Sequence, residues 1–316
     1  MRRTVFNEDH EAFRETLRDF IQAEVVPVYP EWYEAGVVPR EFYYKLAGLG
    51  LFGIEVPEEY GGAGIKSFKY NAIESEELSL AGVSFGGSGV HTALCLPYLL
   101  NLATDAQKER WLPPFIAGEM MFAIAMTEPG TGSDLAGMRT TAKLSEDGSH
   151  YVLNGAKTFI TGGVHADRVI VCARTAPQKE DDRRYGISLL VVDTKLEGYT
   201  VGRKLDKLGL RVSDTAELAF SEVKVPAEDL LGEENKGFSY LGQISRRSGS
   251  PSPTAPTPRP PPRWSSPSGI PRSGTSSASP SPRSRTRSSS SLPARRRSTR
   301  PRPLSTGPSR RTMPAS

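Results

Sequence analysis

The acidic residues of this 316-residue chain end at Glu234 and its lysines at Lys236. From Ile244 onward the sequence is largely Ser, Pro and Arg, with 15 arginines, no lysine and no acid. So polar a segment cannot bury enough apolar surface to offset the entropy of ordering it, so 244–316 is expected to be a disordered tail. Any core must then come from residues 1–243. The same break divides the charge: residues 1–243 hold 25 bases against 36 acids, so the overall +4 and the basic pI of 9.0 belong to the tail.

Some 240 residues suffice for one large or two smaller cores. Cys95 and Cys172 are too few for a disulfide scaffold and suit a reducing compartment. No run approaches the 18 apolar residues of a membrane span, and "MRRTVFNEDHEAF" turns acidic with no apolar stretch. The expectation is a cytoplasmic protein with no membrane partner.

Up to about residue 120 the pattern is helical. In "EAFRETLRDFIQAEVVPVY", Phe13, Leu17, Phe20, Ile21 and Val25 recur at three- and four-residue spacing and form one apolar stripe. "TDAQKERWLPPFIAGE" opens on a capping-box pattern, Thr104 with Gln107, and closes on Gly118. After Met121 the period becomes two. "MFAIAM", "HYVLNG", "KTFITGG", "DRVIVCAR", "YGISLLVVD" and "TAELAFSEV" are short runs without helices between them, which predicts an antiparallel barrel or sandwich. Helical character returns in "PAEDLLGEENKGFSYLGQ".

Two stretches could carry chemistry. In "AMTEPGTGSDLAG" (125–137), Gly130 and Gly132 allow a tight turn and close backbone approach, while Thr127, Thr131 and Ser133 supply hydroxyls and N–H groups. That suits the polar edge of a cofactor or a phosphate, and equally a ligand-free connection. In "LNGAKTFITGG" (153–163), Asn154-Gly155 predicts a type I′ hairpin turn. Phe159 and Thr161 then share a face, fit for one wall of a planar heterocycle or for any half-buried strand. His10, His91, His150 and His165 have no metal-ligand spacing, and His91 reads as a helix or core residue. No GxGxxG, GxSxG, P-loop or CxxC occurs, which excludes the common nucleotide, hydrolase and zinc motifs.

Taken together, "AIAMTEPGTGSDLAG", "LNGAKTFITGG", "KLGLRVSDTAELAF" and "LLGEENKGF" stand in the order found in the acyl-CoA dehydrogenase family, and residues 1–243 resemble its long-chain branch. The resemblance implies an α+β architecture. It has an N-terminal helical domain (1–120), a middle antiparallel β-barrel domain holding flavin and acyl-CoA (121–230), and the start of a C-terminal helix (231–243). It implies FAD as cofactor and a fatty acyl-CoA as substrate, dehydrogenated at its α,β bond to the trans-2-enoyl-CoA. It also implies an electron-transferring flavoprotein as acceptor and, in the intact family, a homotetramer. By motif, Ile124, Ala125, Met126, Thr127, Gly132 and Ser133 line the flavin, Thr127 bonds its pyrimidine side, and Ser133 also touches the CoA portion of the substrate. Phe159, Ile160 and Thr161 stand where the family has Trp-Ile-Thr, with Thr161 near flavin N5; Phe in place of Trp keeps a flat aromatic wall.

Taking the α-proton of a thioester needs a carboxylate base in a dry site. In the long-chain branch that base resembles the Glu of an L-P-Q-E-R-L run following "GEENKGF", whereas here "GEENKGFSYLGQ" is followed by "ISRRSGS". The family's catalytic Glu is therefore absent after Gln243, and its C-terminal helical bundle is replaced by the tail. The genetic code offers a reason. If each codon is taken as the third base of one residue and the first two of the next, Gln243 to Ser250 permits N-L-P-Q-E-R-L. Later stretches permit further alanine- and lysine-bearing helical sequence. We read this as a frameshift at 243–244, equivalent to loss of one nucleotide. The competing reading is a non-catalytic remnant that binds acyl-CoA or, through the basic tail, nucleic acid without specificity.

Overall fold

The computed structural model describes residues 5–248, with side chains through Ile244, all within one compact unit. The expected tail lies, from residue 249, outside the described residues. Six helices come first: α1 (Glu8–Phe20), α2 (Tyr29–Ala35), α3 (Arg40–Gly48), α4 (Lys69–Ala81), α5 (Leu96–Leu102) and α6 (Asp105–Ile116). The apolar stripe of α1 continues through a π-helical turn at Ile21–Val25, with Leu17, Ile21 and Val25 buried. The capping box of α6 is complete. Gln107 N–H donates to Thr104 Oγ1 (3.3 Å) and Thr104 N–H to Gln107 Oε1 (3.0 Å), a cap worth about 1 kcal/mol. Gly118 closes the helix at φ +70°, where a Cβ would meet Tyr43 O at 2.9 Å.

Eight strands follow: β1 (Phe122–Ala125), β2 (Thr141–Leu144), β3 (His150–Thr161), β4 (Arg168–Arg174), β5 (Ile187–Asp193), β6 (Tyr199–Lys204), β7 (Thr215–Pro226) and β8 (Leu230–Leu231). They form one sheet in the order β6-β7-β3-β2-β4-β5-β8, with β1 beside β4. The pairing is antiparallel with two exceptions: β1 runs parallel to β4, and β2 meets β4 in parallel at Thr141 and Arg174. The period of two is clean in β4. Val169 and Val171 face a core inside the sheet, and Ile170 and Cys172 face a core shared with the helices. α7 (Gly237–Ser248) packs Leu241 and Ile244 into the shared core, so helix continues five residues past Gln243, where the tail was expected to begin.

The Asn154-Gly155 hairpin does not form, because β3 runs straight through it. The pairing with β7 instead shifts between Leu153 and Gly155, so that Ser221 and Glu222 together stand opposite Asn154 and β7 carries one extra residue. Asn154 bridges the strands, its Oδ1 accepting from Glu222 N–H (2.9 Å) and its Nδ2 donating to Glu222 Oε1 (2.6 Å). Gly155 is needed for close approach rather than for a turn, since a Cβ there would lie 2.5 Å from Thr140 Oγ1.

Several polar anchors join helices to sheet, among them His91, Arg40 and Gln107. Phe122 N–H donates to Nδ1 of fully buried His91 (3.0 Å), whose Nε2 bonds Phe115 O (3.3 Å). Burial holds the imidazole neutral, its pKa lowered to about 3, so His91 is the core residue expected. Arg40 reaches Gly118 O (2.7 Å) and Asp167 (2.8 Å), and the Gln107 amide donates to Glu228 O and Leu230 O (2.7 and 2.9 Å).

Candidate functional site

The connection from β1 to β2, residues 126–140, exposes Pro129, Gly130 and Gly132–Asp134 and is held at its base by Glu128. That carboxylate is buried, accepting the N–H groups of Arg139 (2.7 Å) and Thr140 (3.0 Å). Lys157 of β3, whose side chain is 0% exposed, donates to Glu128 Oε1 and to Met126 O, both at 3.0 Å. Burial raises the Glu128 pKa, but the backbone donors and the ammonium outweigh it and hold the carboxyl below its ordinary value. Thr158 N–H adds a bond to Thr127 O (2.9 Å). The loop and the C-terminal half of β3 are thus tied side by side.

Directly after these anchors β3 bulges. Thr158 and Phe159 together stand opposite Glu217, and Phe159 adopts φ +60°. A β-branched or aromatic residue there stores about 1–3 kcal/mol, sustained only because its neighbours are fixed. Thr158 and Ile160 are buried, while Phe159 is 65% exposed. A strained aromatic facing solvent beside a polar loop is a poor arrangement for packing and a good one for a ligand wall.

The residues expected to line a ligand fall into three sets. Gly132, Ser133 and Phe159 are exposed; Met126, Thr127 and Thr161 are half-buried; Ile124, Ala125 and Ile160 are buried and can offer only backbone. The bonds at Met126 and Thr127 bring the start of the loop to β3, whereas no hydrogen bond ties Gly132 or Ser133 to that strand among the described residues. Neither Gly130 nor Gly132 has the positive φ that favours glycine, and a Cβ on either would meet nothing of the chain. Open space beside those glycines and unengaged hydroxyls on Thr127 and Ser133 fit a polar, flat ligand.

Two features escaped sequence reasoning. The Glu128–Lys157 pair has no local signal, although a lysine in a strand otherwise alternating apolar and polar could have drawn notice. Asp214 is the other. It is 1% exposed at the end of β3, its Oδ2 accepting Val164 N–H (2.8 Å) while its main-chain oxygen accepts Gly162 N–H (3.1 Å). Its pKa is raised, because burial outweighs the Val164 donor and nearby His165 and Lys207. A separate cavity of about 760 Å³, lined by Glu55, Lys66, Asn71, Thr92 and Lys108 among others, lies in the helical part and shares no lining residue with the groove. No helix among the described residues is long and apolar enough to cross a membrane.

The helical stretch matches the family described as acyl-CoA dehydrogenase, N-terminal domain, over residues 7–119. The sheet matches acyl-CoA dehydrogenase, middle domain, over 123–223. The long-chain specific acyl-CoA dehydrogenase, mitochondrial, of Mus musculus is 45% identical over 241 residues, which are 76% of this chain and 55% of that protein. The crystal structure of an acyl-CoA dehydrogenase from Geobacillus kaustophilus is similar at TM-score 0.73 and 45% identity, covering 77% of this chain and 63% of its own. That of an acyl-CoA dehydrogenase complexed with FAD from Bacillus anthracis is similar at TM-score 0.69 and 32% identity, covering 78% and 41%. The chain therefore spans little more than half the length of the mouse protein. The mitochondrial label of that relative lends no support to the cytoplasmic expectation.

Proposed function

This chain belongs to the acyl-CoA dehydrogenase family, through the N-terminal and middle domains, and from that premise we propose that the groove between residues 124–133 and 159–161 is its FAD site. The observation that carries the reading is Phe159, exposed in a left-handed conformation beside a loop whose Thr127 and Ser133 hydroxyls have no partner among the described residues. Phe159 offers the flat wall, Thr127 a hydrogen bond to the pyrimidine side, Thr161 a contact near N5, and Ser133 a further contact to the CoA portion of an acyl-CoA. When bound, FAD supplies a hydride acceptor for the β-carbon of the thioester.

The proton side of that reaction lacks its residue. No acid follows Glu234, and Asp214, the carboxylate at the end of β3, is buried with one oxygen committed to Val164. A base must reach the proton that it takes. We therefore infer that this polypeptide holds FAD weakly and does not turn over, and that the frame break at 243–244 removed its base along with its closing helices. A tetramer and an electron-transferring flavoprotein partner belong to the reading of the intact frame. The free, buried Cys95 and Cys172 suit a reducing compartment, with the cytoplasm our assignment, checked by fractionation.

The test compares the chain as it stands with one whose gene carries a single nucleotide inserted between codons 243 and 244. Visible spectra and dye-linked oxidation of butyryl-, octanoyl- and palmitoyl-CoA are measured on both. The expected result is a yellow, active restored chain and a pale, inactive parent. An active parent overturns the loss of function, and a colourless, inactive restored chain overturns the frame reading. The 15 arginines after Gln243 favour a second reading, non-specific nucleic-acid binding. It requires salt-dependent binding that disappears when 244–316 is deleted.

A further inference from the structure

We propose that Lys157 and Glu128 are positioning residues of the groove. Their buried pair fixes the loop at Met126–Thr131 against β3, and so fixes the polar edge of the groove relative to the outward-facing ring of Phe159. The inference rests on the reading of this groove as a flavin site.

Stability alone gives no reason for such a pair, because apolar side chains of similar volume at both positions would serve a core as well or better. What an apolar pair could not do is bind backbone. The Lys157 ammonium takes Met126 O at one end of the loop. The two oxygens of Glu128 take the N–H groups of Arg139 and Thr140 at the other. Both ends of a 15-residue connection thus converge on one ion pair. Lys157 immediately precedes the Thr158–Phe159 bulge that turns Phe159 outward, and Thr158 N–H, bonded to Thr127 O, completes the fixed frame around that bulge. On the far side the loop is held differently: the Arg174 guanidinium takes Met138 O (3.0 Å) and Ala136 O, leaving Pro129, Gly130 and Gly132–Asp134 exposed between the two supports. Glu128 and Thr131 exchange main-chain hydrogen bonds at 2.9 and 3.0 Å, so the exposed tip starts from a turn that the pair itself sets.

Lys157→Met and the double variant Lys157→Met/Glu128→Leu test this in the full chain, by amide hydrogen exchange and by titration with free FAD followed through flavin fluorescence. The single variant is expected to speed exchange at Arg139, Thr140 and Thr158 by tenfold or more, with β4 and β5 unchanged, and to weaken FAD binding at least tenfold. The double variant, which leaves no lone charge but strands the Arg139 and Thr140 N–H groups, is expected to recover part of the thermal midpoint but neither the exchange protection nor the FAD affinity. That separates positioning from mere stability. Wild-type FAD affinity in the double variant overturns the proposal, as does exchange that rises equally through β4 and β5. If the chain as it stands takes up too little FAD to titrate, exchange alone decides for the clamp, and the flavin reading fails only if the frame-restored chain also takes up no FAD. Unchanged rates at Arg139, Thr140 and Thr158 then sink the clamp, and a rise confined to them keeps it.

Discussion

The helical part and the sheet each bury a carboxylate against a basic side chain, and the two carboxylates do different work. Glu77 on α4 receives Arg14 (2.9 Å) and Arg18 (2.9 and 3.0 Å) from α1, so both of its oxygens are spent on side chains and the result is a staple between two helices. Glu128 receives one ammonium and two backbone N–H groups, so it shapes a loop. Arg18 is 49% exposed, whereas the Lys157 side chain is fully buried. Losing Arg18 leaves Arg14 on Glu77, whereas losing Lys157 leaves Glu128 with no cation partner among the described residues. The contrast shows that what an ion pair contributes is decided by where its remaining lone pairs and protons go.

The contrast can be broken most severely at Lys157. Lys157→Met leaves a buried, unpaired carboxylate and is expected to cost about 3–5 kcal/mol in chemical denaturation. Arg18→Ala, which removes a half-exposed partner and leaves Arg14 on Glu77, is expected to cost no more than about 1 kcal/mol. Equal losses would erase the distinction. The acid limb sharpens it less sharply but tests both sites. Glu77 and Glu128 have pKa values held below 4.5, by the two guanidinium groups against burial in one case and by backbone donors and the ammonium against burial in the other. Their stabilisation is complete above that pH and is lost as pH falls through the folded values.

Glu74 carries the opposite sign. Burial raises its pKa from 4.5 to about 7, so stability falls as pH rises between those values and is flat above them. Glu74→Gln should remove that slope, and an unchanged profile would remove Glu74 from the account. The smallest effect on stability is expected at the loop tip. Gly130→Ala and Gly132→Ala meet no atom of the chain and should leave the thermal midpoint nearly unmoved while weakening FAD uptake. By contrast Gly155→Ala, with Thr140 2.5 Å away, should lower the midpoint outright.

Of the proposed groove, residue type and order alone give the hydroxyl-bearing run 125–137, the Phe159–Thr161 stretch and the lack of an acid after Glu234; the turn role expected of Gly130 and Gly132 needed no positive φ. What was not legible was the frame behind them. Asn154-Gly155 carries the local signature of a hairpin, yet its glycine answers to Thr140 and its asparagine to Glu222, neither of them a near neighbour in the chain. Strands β2, β6 and β8 passed unread: β2 is short, β6 is exposed along most of its length, and β8 (Leu230–Leu231) lies in a stretch that reads as helical, though α7 begins only at Gly237.

By itself the sequence determined what acts within a few residues. The apolar stripe of α1, the Thr104–Gln107 capping box and the Gly118 stop depend on contacts three or four positions apart, which any chain with those residues makes as it turns. The lack of any acid after Glu234 likewise needs no fold to be seen. Tertiary structure alone decided that β1 runs parallel to β4, that Lys157 meets Glu128 across 29 positions, and that Phe159 is pushed outward by the bulge beside them. Sheet register sets those distances, and register is fixed only once both cores have closed on the strands.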